Sequence, residues 1–230
     1  MKFRNVFVIG TSHIAKESVE EVKLFIALRK PDVVAVELDR ARLSGLASKR
    51  RERMSLRDVR RVGFYGFLFS LVGGWVERKL GEKVGVSPGS EMLSAVRLAQ
   101  QSGARVALID QDIAVTLKRF SVVFSWREKF RLLGDVVKGL FSGKSVIDFD
   151  LKKVPPERVI KKLIGEVKRR YPNLYHVLVT ERNEFMALRL AELSRDFPDK
   201  LILAVVGAGH EDELVVLIKK YLKVNDVVRG

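Results

Sequence analysis

Short β-branched runs, bounded by glycine, proline or charge, alternate with longer stretches whose apolar residues recur at helical spacing. Val6-Phe7-Val8-Ile9 breaks at Gly10 and reads as a buried strand. From about Ala15 the positions Val19, Val22, Leu24, Phe25 and Leu28 give a helical face, which Lys30-Pro31 ends. Val33-Val34-Ala35-Val36 is the next strand and runs out into Glu37-Leu38-Asp39-Arg40. Strand, helix and strand in this order form a βαβ unit, which implies a parallel pair. Ser90 as N-cap, with Glu91, opens a helix to about Gln101. Ser102-Gly103 closes it, and Val106-Ala107-Leu108-Ile109 is a third strand ending in Asp110-Gln111-Asp112. Ile113 to Arg119 continues toward a helix. Pro155-Pro156-Glu157 starts another, which Tyr171-Pro172 stops, and Leu178-Val179-Thr180-Glu181 leads into a long helix over 181–195. Leu201 to Val206 is the fourth strand, and a final helix covers 211–222. The expected fold is α/β, with a mostly parallel central sheet, flanking helices and helical insertions.

The rhythm is lost between Arg40 and Gly89 and again after Arg119. The expected organisation is one domain over 1–230, with a basic, aromatic helical insertion at 41–89 and a second mostly helical one at 120–150. Lys49-Arg50-Arg51-Glu52-Arg53 and Arg57-Asp58-Val59-Arg60-Arg61 lead into Gly63-Phe64-Tyr65-Gly66-Phe67-Leu68-Phe69-Ser70-Leu71-Val72-Gly73-Gly74-Trp75. This stretch reads either as an interfacial membrane helix or as a helical hairpin whose apolar arm covers the core or a dimer partner. It is too short to span a bilayer.

Apolar residues at 47% and charged residues at 31% describe a globular chain, and 230 residues suffice for one good core. The absence of cysteine excludes a disulfide framework, a thiolate nucleophile and a zinc finger. Three glutamines and four asparagines beside 43 lysines and arginines are the bias of a thermophile. The net charge of +15 favours anionic partners: a phospholipid surface, nucleic acid or an acidic substrate. The basic residues are spread through several segments with no reader motif, so nucleic acid is not an expected partner. Lys2 and Arg4 precede only a short apolar run, which is no secretory signal. The expected location is cytoplasmic, peripheral to the membrane or anchored to it in a longer chain.

His13, Glu37, Asp110 and His210 each follow one of the four strands. Gly10-Thr11-Ser12-His13 and Gly207-Ala208-Gly209-His210 repeat a glycine, two small residues and a histidine at opposite ends of the chain. In open α/β sheets ligands bind beyond the carboxyl ends of the strands. Neutral imidazole with carboxylate is a common ligand set for a catalytic divalent ion with an open position. The competing reading is helix caps and core-edge hydrogen bonds. Gly85-Val86-Ser87-Pro88-Gly89 matches the letters of a nucleophile elbow, but no strand precedes it and Pro88 follows the serine. His176 reads as a packing or surface residue.

Together with Val36-Glu37-Leu38-Asp39, Pro88-Gly89-Ser90-Glu91-Met92, Leu108 to Ile113, Thr116-Leu117-Lys118-Arg119, Glu181-Arg182-Asn183 and Met186, the paired histidine motifs resemble the TraB/PrgY pheromone-shutdown family. That family has archaeal and eukaryotic relatives, and the resemblance runs from residue 5 to about 220. It implies a relation to Tiki-type metalloproteases and to the erythromycin-esterase-like fold, with an active cleft between two halves. On this resemblance a divalent ion of the zinc, manganese or cobalt type is held by His13, His210 and Glu37 or Glu181. Glu91 or Glu181 takes the proton of its water, and Arg119 either stabilises the oxyanion or forms a salt bridge to one of those carboxylates. Asp110 orients a histidine. Two positions depart from the family: Gln111 follows Asp110 where an arginine is usual, and Asn183 replaces an acid. The implied function is a metal-dependent hydrolase, peptidase-like, working at or near an anionic membrane surface, with a homodimer as a further expectation. The alternative is a non-catalytic regulator that binds a peptide or lipid in the same cleft.

Overall fold

The computed structural model describes residues 1–11, 16–48, 58–71, 74, 89–142 and 157–229. In chain order the elements are β1 (Lys2–Phe3), β2 (Val6–Thr11), α1 (Lys16–Arg29), β3 (Val33–Val36), α2 (Arg40–Ala47), α3 (Val59–Val62) and α4 (Ser90–Gln101). Then come β4 (Arg105–Leu108), α5 (Ile113–Val123), α6 (Trp126–Ser142), α7 (Glu157–Arg170) and α8 (Pro172–Tyr175). A π-helix at His176–Thr180, α9 (Glu181–Asp196), β5 (Ile202–Gly207) and α10 (Ala208–Arg229) complete the series, and 64–71 is also helical. The chain divides into two compact units, one of Met1–Arg53, Val86–Ile113 and Val179–Gly230, the other of Met54–Gly85 and Ala114–Leu178.

The first unit is an α/β sandwich on a five-stranded sheet of order β1-β2-β5-β3-β4. All pairs are parallel except β1 with β2, a two-residue antiparallel edge that leaves too little pattern to read in sequence. The last strand enters the middle of the sheet: Val6 to Thr11 pair with Ile202 to Gly207, and Val33 to Val36 pair with Ile202 to Val205. β3 and β5 are buried along their whole length, as strands covered on both faces must be. Alternate side chains sort to opposite faces. Val6, Val8, Val33, Ala35, Ile202, Ala204 and Val206 meet Met186, Ala187 and Leu190 of α9 and Leu214, Ile218 and Leu222 of α10. On the other face Ile9, Val34, Val36, Leu203 and Val205 meet Val22 and Ile26 of α1 and Met92, Ala95, Val96 and Ala99 of α4. Leu43 and Leu46 of α2 pack against this second cluster.

Several local expectations change. In α1 the inward pair is Val22 and Ile26, one turn apart, while Leu24 and Leu28 are exposed. Ser90 is the first helical residue of α4, and its N-cap is Gly89 with φ 84°. Leu46 lies 3.1 Å from where a Cβ on that glycine would stand. The final helix begins at Ala208, so His210 sits on its first turn. Tyr171 interrupts the helical course for a single residue, because Pro172 occupies a first-turn position where its missing N–H costs nothing.

The second unit is helical. Phe120, Phe124 and Val177 form its buried cluster, with Tyr65, Phe69, Val123 and Leu174 against them. The 64–71 helix therefore has two faces: Tyr65 and Phe69 point into this cluster, whereas Phe64, Leu68 and Leu71 are exposed. Val72, Gly73, Trp75 and the 75–88 stretch lie outside the described residues, as do 143–150. Glu128 is buried and accepts four hydrogen bonds: Ser125 N at 3.2 Å, Ser125 Oγ at 2.9 Å, Asn173 N at 2.8 Å and Asn173 Nδ2 at 2.9 Å. Burial pushes its carboxyl up, but the bonds from Asn173 and Ser125 outweigh that and hold it below the ordinary carboxylate range.

A carboxyl held down in the folded state stabilises it above the ordinary carboxylate range, and that contribution is lost as pH falls through the folded value. Urea unfolding of Glu128→Gln should show a loss of about 1.5–3 kcal/mol at neutral pH, narrowing against the parent below about pH 4. A pH-independent difference would contradict the assignment. At Gly10 an added Cβ would lie 3.1 Å from Ala208 Cα and 3.2 Å from Glu211 Cβ, whereas Gly45 in α2 has open space. Gly10→Ala should therefore cost about 1–3 kcal/mol in the same measurement, and Gly45→Ala should gain about 0.5–1 kcal/mol.

Candidate functional site

Each strand of the parallel sheet delivers a polar group at its carboxyl end. Glu37 follows β3 directly, Asp110 lies two residues after β4, and Gly207 ends β5 three residues before His210. Because β5 lies between β2 and β3, the end of β5 adjoins the exits of both. Glu37 is only 4% exposed. Its Oε2 accepts from Gly207 N at 2.7 Å, and its Oε1 accepts from Arg182 Nη2 at 2.5 Å. His210 Nε2 stands 3.4 Å from the same Oε1.

Arg182 joins the two strand-end acids. Its Nε donates to Asp110 Oδ1 at 3.0 Å and its Nη2 to Asp110 Oδ2 at 2.7 Å, beside the bond to Glu37. Asp110 also accepts from Arg42 Nη1 at 2.7 Å and from Gln111 N at 2.8 Å. Burial works against the Arg182 charge, but the Asp110 and Glu37 carboxylates more than offset it and raise the guanidinium above its ordinary range. Two carboxylates and two guanidiniums thus neutralise one another, which is the condition for burying charge at all. Asp39 caps α2 by accepting from Arg42 N at 2.9 Å, so the loop after β3 also aims Arg42.

On the other side of His210, Nδ1 is 2.5 Å from Asn183 Oδ1, and Asn183 Nδ2 donates to Glu213 Oε2 at 2.7 Å. Asn183 is fully buried and begins the inward stripe of α9 that continues through Met186, Ala187, Leu190, Ala191 and Ser194.

Of the residues read from the sequence, the fold brings Glu37 and His210 together. His13 lies outside the described residues; Thr11, two positions earlier, pairs with Gly207. Glu91 is buried in the first turn of α4 and Glu181 is partly buried in the first turn of α9, both in the first unit. Arg119 lies on α5 in the second unit with an exposed side chain. Asp110, expected to orient a histidine, holds Arg182 and Arg42. No sequence pattern assigns a site role to Arg182, Arg42 or Glu213. Asn183 alone carries a signal, a polar residue at the head of an apolar stripe of i, i+3, i+4 spacing.

The donor set can be weighed against a divalent ion. His210 and Glu37 supply one nitrogen and one carboxylate of the kind that binds such an ion. Among the described residues no three His, Asp or Glu side chains stand together as a complete metal cluster. The described residues fit two places of such a site.

The TraB/PrgY/gumN family model matches residues 2–212. An uncharacterized protein of Methanocaldococcus jannaschii is 36% identical over 226 residues, 97% of this chain and 55% of the relative. TraB domain-containing proteins of mouse and human are 27% and 26% identical, each over 89% of this chain and 60% of the relative. The chain thus spans little more than half the length of these relatives. No helix among the described residues is long and apolar enough to cross a membrane. With the match covering nearly every element of the sheet and the site at its edge, the chain belongs to the TraB/PrgY/gumN family.

Proposed function

We propose that the chain is a metal-dependent hydrolase of peptide-like substrates, with a divalent ion of the zinc, manganese or cobalt type held by His210, Glu37 and His13. The observation that carries this reading is the 3.4 Å approach of His210 Nε2 to Glu37 Oε1 at the carboxyl edge of the sheet. The pairing of Thr11 with Gly207 supports the third ligand, since the two histidine motifs start from neighbouring strand ends. When bound, such an ion activates a water and polarises a carbonyl. Arg182 and Gly207 N hold the Glu37 carboxylate in one orientation. Glu181 or Glu91 accepts the proton of the attacking water in this proposal.

A second reading has one observation in its favour. Among the described residues, Arg182 and Arg42 already pair with Glu37 and Asp110. On that reading the chain binds a peptide or lipid without turning it over.

We also propose that the second unit docks on an anionic membrane. Phe64, Leu68 and Leu71 are exposed at i, i+4, i+7 spacing, and Arg60 and Arg61 precede them. Trp126 and Phe130 are exposed one turn apart on α6, with Lys129 Nζ 4.4 Å from the Trp126 ring centroid. Aromatic and leucine side chains beside cations are the composition of an interfacial surface.

Metal analysis of the purified chain and peptide hydrolysis with added zinc, manganese or cobalt test the first proposal. His210→Ala and Glu37→Gln should each lower metal-stimulated turnover by about 100-fold or more, with loss of bound metal. Full metal binding in both variants, or stoichiometric peptide binding with no turnover in the parent, overturns it. For docking, the full chain should sediment with phosphatidylserine-containing vesicles and not with neutral ones, with each neighbouring Lys or Arg adding about 1 kcal/mol. Phe64→Ser with Trp126→Ser should abolish sedimentation. A homodimer that dissociates in this double variant, with no vesicle binding by the parent, would identify the face as a subunit contact instead.

A further inference from the structure

The outward side of α1 carries an ordered stripe. Glu21, Leu24, Phe25, Leu28 and Arg29 recur at i, i+3, i+4, i+7 and i+8, so they share one helix face. Val22 and Ile26 take the inward side, which leaves Leu24 60% and Leu28 72% exposed. All five stripe residues line an open groove of about 510 Å³, and its other wall includes Phe7 of β2 and Lys2 of β1. Phe7 and Phe25 meet across it with ring centroids 5.2 Å apart. A contiguous apolar strip rimmed by charge marks a contact surface.

The rim charges are sorted by sign. Lys2 Nζ lies 5.0 Å and Arg29 Cζ 5.6 Å from the Phe7 ring centroid, so both cations stand at one end of the groove. Glu21 stands about 12 Å away along the helix, at the other end. Among the described residues none of these three charges forms an ion pair. A groove that is cationic at one end, acidic at the other and apolar between is complementary to its own reverse.

We propose that this face binds a second copy of the chain, α1 against α1, in an antiparallel contact with two-fold symmetry. Reversal about Phe25 sets Glu21 of each protomer opposite the partner's Arg29 and covers Leu24, Phe25 and Leu28 between the two charge pairs. A parallel two-fold contact would oppose Glu21 to Glu21 and Arg29 to Arg29, so the order of charges selects the antiparallel one. Exposed ion pairs contribute little to affinity; the apolar strip supplies the attraction and the charges set its direction. The net charge of +15 on each copy opposes association, so the contact is a weak one. It is independent of the hydrolase reading.

Sedimentation equilibrium of the full chain, with no metal or substrate present, measures the contact. The parent should show a concentration-dependent equilibrium of monomer and dimer. Leu28→Asp, at an exposed position, should abolish the dimer. Glu21→Arg should raise its dissociation constant about 10-fold or more, because symmetry makes the change act twice. Arg29→Glu should raise it less, since Lys2 still faces Glu21. The double reversal keeps the parent's net charge and should dimerise more tightly than either single variant. A monomeric parent, a dimer indifferent to Leu28→Asp, or a double variant no tighter than the single ones overturns the proposal. So does a dimer that dissociates with Phe64→Ser and Trp126→Ser but not with Leu28→Asp. A monomeric parent that takes up a fluorescent fatty acid, with uptake lost in Leu28→Asp, overturns it too and makes the groove an amphiphile site.

Discussion

The buried Glu37 carboxylate is what the rest of the site is arranged to satisfy. A charge removed from water costs several kcal/mol unless it is paired and hydrogen-bonded. Three distant parts of the chain meet that demand: the backbone N–H of Gly207, the guanidinium of Arg182 and the ring of His210. None of them is near Glu37 in sequence. They converge because β5 inserts between β2 and β3, so that the last strand in the chain closes the middle of the sheet. The site and the sheet are therefore completed by the same pairing, and such long-range pairing is the kind that folds slowly.

Arg182 extends this constraint to a second strand end. By bonding Glu37 and Asp110 at once, it ties the exits of β3 and β4 through a residue of α9. Asn183, the next residue, turns to the opposite task of holding His210. Adjacent positions on a helix point about 100° apart, so one turn of α9 reaches both the ionic cluster and the imidazole. The π-helical turn at His176–Thr180 lies immediately before this pair. Such turns recur near functional sites, and their wider winding resets the rotational phase of the helix downstream.

The exposed apolar residues of the second unit obey a different logic. The 64–71 helix spends two aromatic side chains, Tyr65 and Phe69, on its own core and leaves Phe64, Leu68 and Leu71 outside. One face of this helix packs in the cluster and the other is exposed. A segment apolar all round is ambiguous in sequence, since periodicity vanishes when both faces are occupied.

Much of the fold was legible in the sequence. The four parallel strands and the helices that cover them arise from β-branched runs, helical spacing and breakers, which act locally; the parallel pair expected of β2 and β3 does not form, because β5 lies between them. The placement of Glu37 and His210 at strand ends was legible for the same reason. What tertiary structure alone decided was adjacency. The order of strands put Gly207 beside Glu37, and helix packing chose Arg182 and Arg42 as the counter-charges. Glu213 owes its part to α10 beginning at Ala208, a boundary that Gly207-Ala208-Gly209 conceals. Sequence patterns report which side chains face inward; which inward side chains then touch depends on contacts between segments far apart in the chain, and no local periodicity encodes those.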